Sequence, residues 1–144
     1  MKLLFCLLLS VTGAISLQDF VEEFHALKLE KTELKFIEKY KSSKSVAVKA
    51  YVYAVQMKQA EHTMNPIKKI KIFKKYKNQF DALIKANPTN VHARYMRLVI
   101  QEKMPSFMGY NNFIAEDKKI LKRYLSGSSK KTYLEQYIKK NTSL

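Results

Sequence analysis

Between Asn65 and Asn90 the chain carries an apolar stripe that suits one kind of backbone. Ile67, Ile70, Phe73, Tyr76, Phe80, Leu83 and Ile84 recur at intervals of three and four. On a 3.6-residue helix that spacing puts them on one face for about five turns. The ends are punctuated. Asn65 offers an N-cap and Pro66 a pre-set first helical position, and Asn87-Pro88-Thr89-Asn90 stops the helix. The same periodicity recurs elsewhere. Leu17, Phe20, Val21, Phe24 and Leu27 predict a first helix, and Leu34, Ile37 and Tyr40 a short second one. Val46 to Ala60 is apolar on nearly every side. It contains no Gly or Pro and is too long for an ordinary strand, so it reads as a buried central helix. Val91, Tyr95, Leu98 and Val99 line a fifth helix, and Ile114, Ile120, Leu121, Tyr124 and Leu125 a sixth. Leu134, Tyr137 and Ile138 line a seventh, opened by the capping-box pattern Thr132-x-x-Glu135. With 3 Gly and 3 Pro in 144 residues, little turn chemistry is left for hairpin-rich sheets. The expected fold is all-α, about seven helices packed as antiparallel helical hairpins.

Residues 1–16 read as a secretory leader. Lys2 is followed by Leu3, Leu4, Phe5, Cys6, Leu7, Leu8 and Leu9, and then by small residues. Ala14 and Ser16 stand at the −3 and −1 positions of a cleavage site after Ser16. The apolar run is shorter than the roughly 18–20 residues that span a bilayer. The expected organisation is a leader over 1–16 and one helical domain over 17–144, secreted or periplasmic and not membrane-spanning. Cys6 is the only cysteine, so no disulfide framework is available and stability must come from packing.

Charge is unevenly spread. The net charge is +15, and residues 39–78 alone contribute +10. The densest stretch runs from Lys68 to Lys77. Lys68, Lys71 and Lys75 fall opposite the apolar stripe, with Lys74 beside them. Two readings stand together: a solvated helix back, or a face for an anionic membrane or polymer. Of 27 basic residues 24 are Lys, whereas bidentate phosphate gripping and base readout favour Arg. Nucleic acid is therefore the weaker partner.

Arg94 and Arg97 share a helix face, with Gln101 one turn on and Glu116-Asp117 opening the next helix. We read Arg94, Arg97, Gln101 and Asp117 as a salt-bridged cluster fixing the 105–113 loop. The functional alternative is a two-Arg clamp for a carboxylate or phosphate. In that loop Phe107 and Tyr110 are expected to pin it to the core, the alternative being an exposed partner site. Gly109 suggests positive φ. His25, His62 and His92 are not spaced as a metal pair, and no nucleophile–base pair is visible. We assign no catalytic residue, no metal and no cofactor.

Two resemblances attach to these residues. Phe80-x-x-Leu83-Ile84-x-x-x-Pro88-x-Asn90 looks like the second helix and exit turn of a tetratricopeptide repeat. Leu83 and Tyr76 stand where that repeat prefers smaller side chains, and no second copy is present. More broadly, Asn65-Pro66, Asn87-Pro88-x-Asn90, Arg94-x-x-Arg97, Gln101, Pro105, Phe107-x-Gly109-Tyr110 and Glu116-Asp117-Lys118 resemble an uncharacterised family of small exported bacterial helical proteins. That resemblance spans Tyr51 to Leu125, with Phe113 departing from a polar position. It implies export and an all-α, repeat-like body, and brings no reaction or ligand. The sequence-level expectation for function is a non-enzymatic exported interaction module for a protein partner. Its alternative is a peripheral binder of anionic membrane or polymer through Lys68, Lys71, Lys74 and Lys75.

Overall fold

Local caps set most helix starts, and packing decides which face each helix buries. The computed structural model describes residues 15–127 and 132–144. The leader pattern up to Ala14, and Ser128 and Ser129 in the connection between the sixth and seventh expected helices, lie outside them. Among the described residues the fold is all-α, in the order α1 (Leu17–His25), α2 (Glu30–Tyr40), α3 (Val46–Lys58), α4 (Pro66–Ala86), α5 (Val91–Lys103), α6 (Ile114–Gly127) and α7 (Tyr133–Asn141). Short 3₁₀ turns occupy Gln59–His62 and Ser106–Met108.

The side-chain oxygens of Ser45, Asn65, Asn90 and Thr132 accept from backbone N–H groups in the first turns of α3, α4, α5 and α7. Each satisfies a donor that helix geometry leaves orphaned. Ser16 caps α1 in the same way. Thr132 makes its half of the capping box, but Glu135 reaches forward to Lys139 at 2.6 Å. Gly127 lies in the last turn of α6. Gly109 adopts φ +65° at the exit of the second 3₁₀ turn, a conformation open to Gly without steric cost.

Central α3 lies against α2, α4 and α5, while α5 also lies against α4 and α6. The Phe20, Phe36, Tyr40 and Tyr51 rings interlock α1, α2 and α3, with centroids 4.7–5.4 Å from Phe20. Such pairs add to what the buried area alone provides. The expected α2 stripe keeps Ile37 and Tyr40 and is corrected at Leu34. Leu34 is exposed, and Glu33, Phe36, Ile37 and Tyr40 form the inward face. The aromatic Phe36 outweighs Leu34 in apolar area, and Glu33 goes in with it because partners await it there.

Candidate functional site

The tightest polar constellation forms where α5 meets α6. Asp117 is fully buried and sits between two guanidiniums. Arg97 Nε and Nη2 donate to its two oxygens at 2.8 and 2.7 Å, a bidentate fork. Arg94 Nη1 donates to Asp117 at 2.9 Å and to Glu116 at 2.7 Å, and its Nε to the Pro88 carbonyl at 2.8 Å. Gln101 donates to Asp117 at 2.8 Å and accepts from the Phe113 backbone N–H at 2.9 Å. Arg97 also lies 3.5 Å from Asp81 and over the Phe113 ring at 4.1 Å.

The structure thus brings Arg94, Arg97, Gln101 and Asp117 together, and their hydrogen bonds are directed at one another, at Glu116, at the Pro88 carbonyl and at the Phe113 N–H. Burial works against the Arg97 charge, but hydrogen bonding and attraction to Asp117 outweigh it and raise its pKa further. Tyr110, buried in the same loop, donates to Asp81 at 2.8 Å. Burial first, and that carboxylate second, push its hydroxyl pKa well up.

Tyr110 packs with Met57 and Phe73, and Met108 joins them. Phe107 does not pin the loop to the core and is 85% exposed. The reason is the 3₁₀ turn Ser106–Met108, whose three residues per revolution send neighbouring side chains about 120° apart. Met108 takes the inward direction and Phe107 faces away from it.

Sequence reasoning did not anticipate the groove beside this loop. Its volume is about 790 Å³, within the range of ligand and peptide pockets. Phe24 and Leu27 close one side. Val55 and Met57 of α3, Ile70 and Phe73 of α4, Met96, Val99 and Ile100 of α5, and then Met104 and Met108, form the lining. Pro66, Lys69, Ile70 and Phe73 reach it at the i, i+3, i+4, i+7 spacing of a single helix face.

Glu33 stands at one edge, 1% exposed. It pairs with Lys58 at 2.7 Å and His62 at 2.8 Å and accepts from Gln59 at 2.8 Å. Burial alone would raise its pKa, but hydrogen bonds from Lys58, His62 and Gln59 together win and lower it. Sequence reasoning missed this buried carboxylate, whose only signal is its i, i+4, i+7 spacing with Ile37 and Tyr40.

Asn141, Lys103 and His25 mark another part of the lining. The His25 ring stacks on Tyr137 at 4.0 Å and contacts the Tyr95 hydroxyl at 3.2 Å. Burial, then the charges of Lys103 and Lys140, lower its pKa to about 4. It is therefore a neutral, aromatic wall near pH 7. Among the described residues no group of three His, Cys, Asp or Glu side chains is placed to hold a metal ion, and no helix is long and apolar enough to cross a membrane.

Lys68, Lys71, Lys74 and Lys75 all lie exposed on α4. The structure places them on its outer side and flank, away from both the groove lining and the arginine cluster. In comparison with known proteins, no family model, no curated sequence and no solved structure matches the chain.

Proposed function

We propose that this chain is a non-enzymatic, exported interaction module that seats an apolar segment of a protein partner in the groove. The observation that carries the reading is the groove itself, a large opening lined chiefly by apolar side chains. Four of those side chains are Met57, Met96, Met104 and Met108. Methionine is unbranched and polarizable, and such surfaces adapt to the partner's shape. Ile70 remains 48% exposed at the groove and gains burial when an apolar segment lies there.

The arginine cluster supports a scaffold role. It ties α5, α6 and the 105–113 loop into one wall, and Arg94 Nε and Nη1 with Arg97 Nε and Nη2 are occupied by protein acceptors. The order of helix contacts, α3 on α4 and α5 and then α5 on α6, suits stacked hairpins that are tetratricopeptide-like in part. Export rests on the leader pattern of residues 1–16 and on the resemblance to exported helical proteins.

A photo-crosslinking side chain at Met104 tests the groove. The expected result is one discrete protein adduct that survives moderate salt. It should fall at least about tenfold with Ile70→Glu, which puts a charge where about 1.5 kcal/mol or more of apolar burial is needed. The same crosslinker at Lys35, on the outer side of α2, should give no such adduct. An identical adduct from position 35, or one indifferent to Ile70→Glu, overturns the reading.

A further inference from the structure

The outer side of α4 carries two features that the groove does not use. The first is charge. From His62 to Phe80 the chain has six lysines and no carboxylate. Lys77 pairs with Asp81 at 3.1 Å. Among the described residues Lys68, Lys71, Lys74 and Lys75 pair with no carboxylate, the lysine ion pairs being elsewhere. The second is apolar exposure. Ile67 is 65% exposed and Met64, just before the helix, 94%. At 100° per residue, Ile67, Lys71 and Lys74 fall in one column of the helix surface, with Lys68 and Lys75 beside it. Large exposed apolar side chains followed along the same side of a helix by unpaired lysines form the pattern of a surface that enters a lipid headgroup region, where aliphatic tips reach the acyl boundary and ammonium groups stay with the phosphates.

We propose that the N-terminal half of α4 docks on anionic phospholipid bilayers, with Met64 and Ile67 inserted and Lys68, Lys71, Lys74 and Lys75 held at the headgroups. Charge complementarity selects the occupant. A soluble polyanion would use the lysines but gain nothing from a bare isoleucine and methionine. A fluid lipid surface also accepts lysine as a point charge, without the planar fork that arginine brings to ordered phosphate recognition. The patch does not depend on the groove being filled, so the two readings can fail separately.

The chain has no Trp, which makes the test site-specific. Ile67→Trp places the only indole at the proposed insertion point, on a residue exposed enough to leave the fold intact. With vesicles of equal parts phosphatidylglycerol and phosphatidylcholine at low salt, its emission should shift to the blue and be quenched by brominated acyl chains. Phosphatidylcholine alone should do neither, and Lys35→Trp in place of Ile67→Trp should stay unshifted.

Changing Lys68, Lys71, Lys74 and Lys75 together to Gln should weaken vesicle binding by roughly a hundredfold or more, taking lysine–anionic lipid attraction at its usual size. Raising salt from about 0.05 M to about 0.5 M should abolish most of the binding. Met64→Ser with Ile67→Ser should lower affinity about tenfold or more, while the groove adduct at Met104 persists. An indole at position 67 that stays in water while the protein is bound overturns the proposal. So does vesicle affinity unchanged in the four-Gln variant. Binding to a soluble polyanion, with no emission change on vesicles, assigns the face to polymer and overturns it as well.

Discussion

Asp117 shows how one side chain can hold a region in place. It is buried with four hydrogen bonds from three partners, two of them guanidiniums that are themselves buried. Replacing such a carboxylate leaves positive charge with reduced compensation in a poorly solvated place. Asp117→Asn should therefore cost about 3–5 kcal/mol of folding stability. Glu116, half exposed beside the same Arg94, should cost under about 1 kcal/mol as Glu116→Gln. Urea unfolding of the two variants measures the difference, and equal costs would show that burial is not what gives Asp117 its weight. The sequence made this cluster visible because Arg is scarce and three residues apart, with carboxylates opening the next helix. Asp81 and the Phe113 ring were not visible, since each reaches Arg97 from another element. Glu33 stayed hidden for a related reason. A carboxylate on an apolar stripe announces burial only once Lys58, Gln59 and His62 are known to converge on it.

At the scale of the helix, caps and periodicity carried most of the information. The start of α4 was legible because Asn65 and Pro66 act on the backbone next to them. Asn65 Oδ1 accepts from the Ile67 and Lys68 N–H groups at 3.0 and 3.1 Å. Asn65→Ala should lower stability by about 1 kcal/mol. It should also speed amide exchange in the first turn of α4 more than elsewhere, and uniform exchange would show that packing alone holds that turn. The choice of buried face was less legible. Leu34 and Phe36 compete for the inside of α2, and aromatic packing against Phe20 decides between them. Nor can spacing tell which side chain of a three-residue turn goes inward, so Met108 takes the inward place expected of Phe107. The 790 Å³ groove has no local signature. It is bounded by residues from Phe24 to Asn141, and only their assembly creates the space.

Across the whole molecule, two histidines give the fold a common acid response. His25 lies between α1 and α7, stacked on Tyr137. His92 lies at the start of α5, with Nδ1 2.9 Å from the Tyr51 hydroxyl on α3. Burial lowers both pKa values from 6.5 to about 4, with Lys103 and Lys140 assisting at His25. Between those values the unfolded chain binds protons that the folded chain refuses, so stability rises with pH through that window. The histidine contribution is complete above about 6.5 and is lost as pH falls toward about 4. Glu33, whose pKa is lowered, adds its loss only further into acid, below its ordinary value of 4.5. Urea midpoints measured from pH 7 down to 4.5 should therefore fall steadily. Combining His25→Gln with His92→Gln keeps a polar side chain at each position and removes the titration, so the slope should flatten even if absolute stability drops. A slope unchanged by the double substitution would move the acid response to the carboxylates and to repulsion within a chain of net charge +15. The two histidines bear on α1, α3, α5 and α7 together, so their protonation should loosen the groove walls and the core in one cooperative step. A crosslink from Met104 and a core probe should then be lost at the same pH.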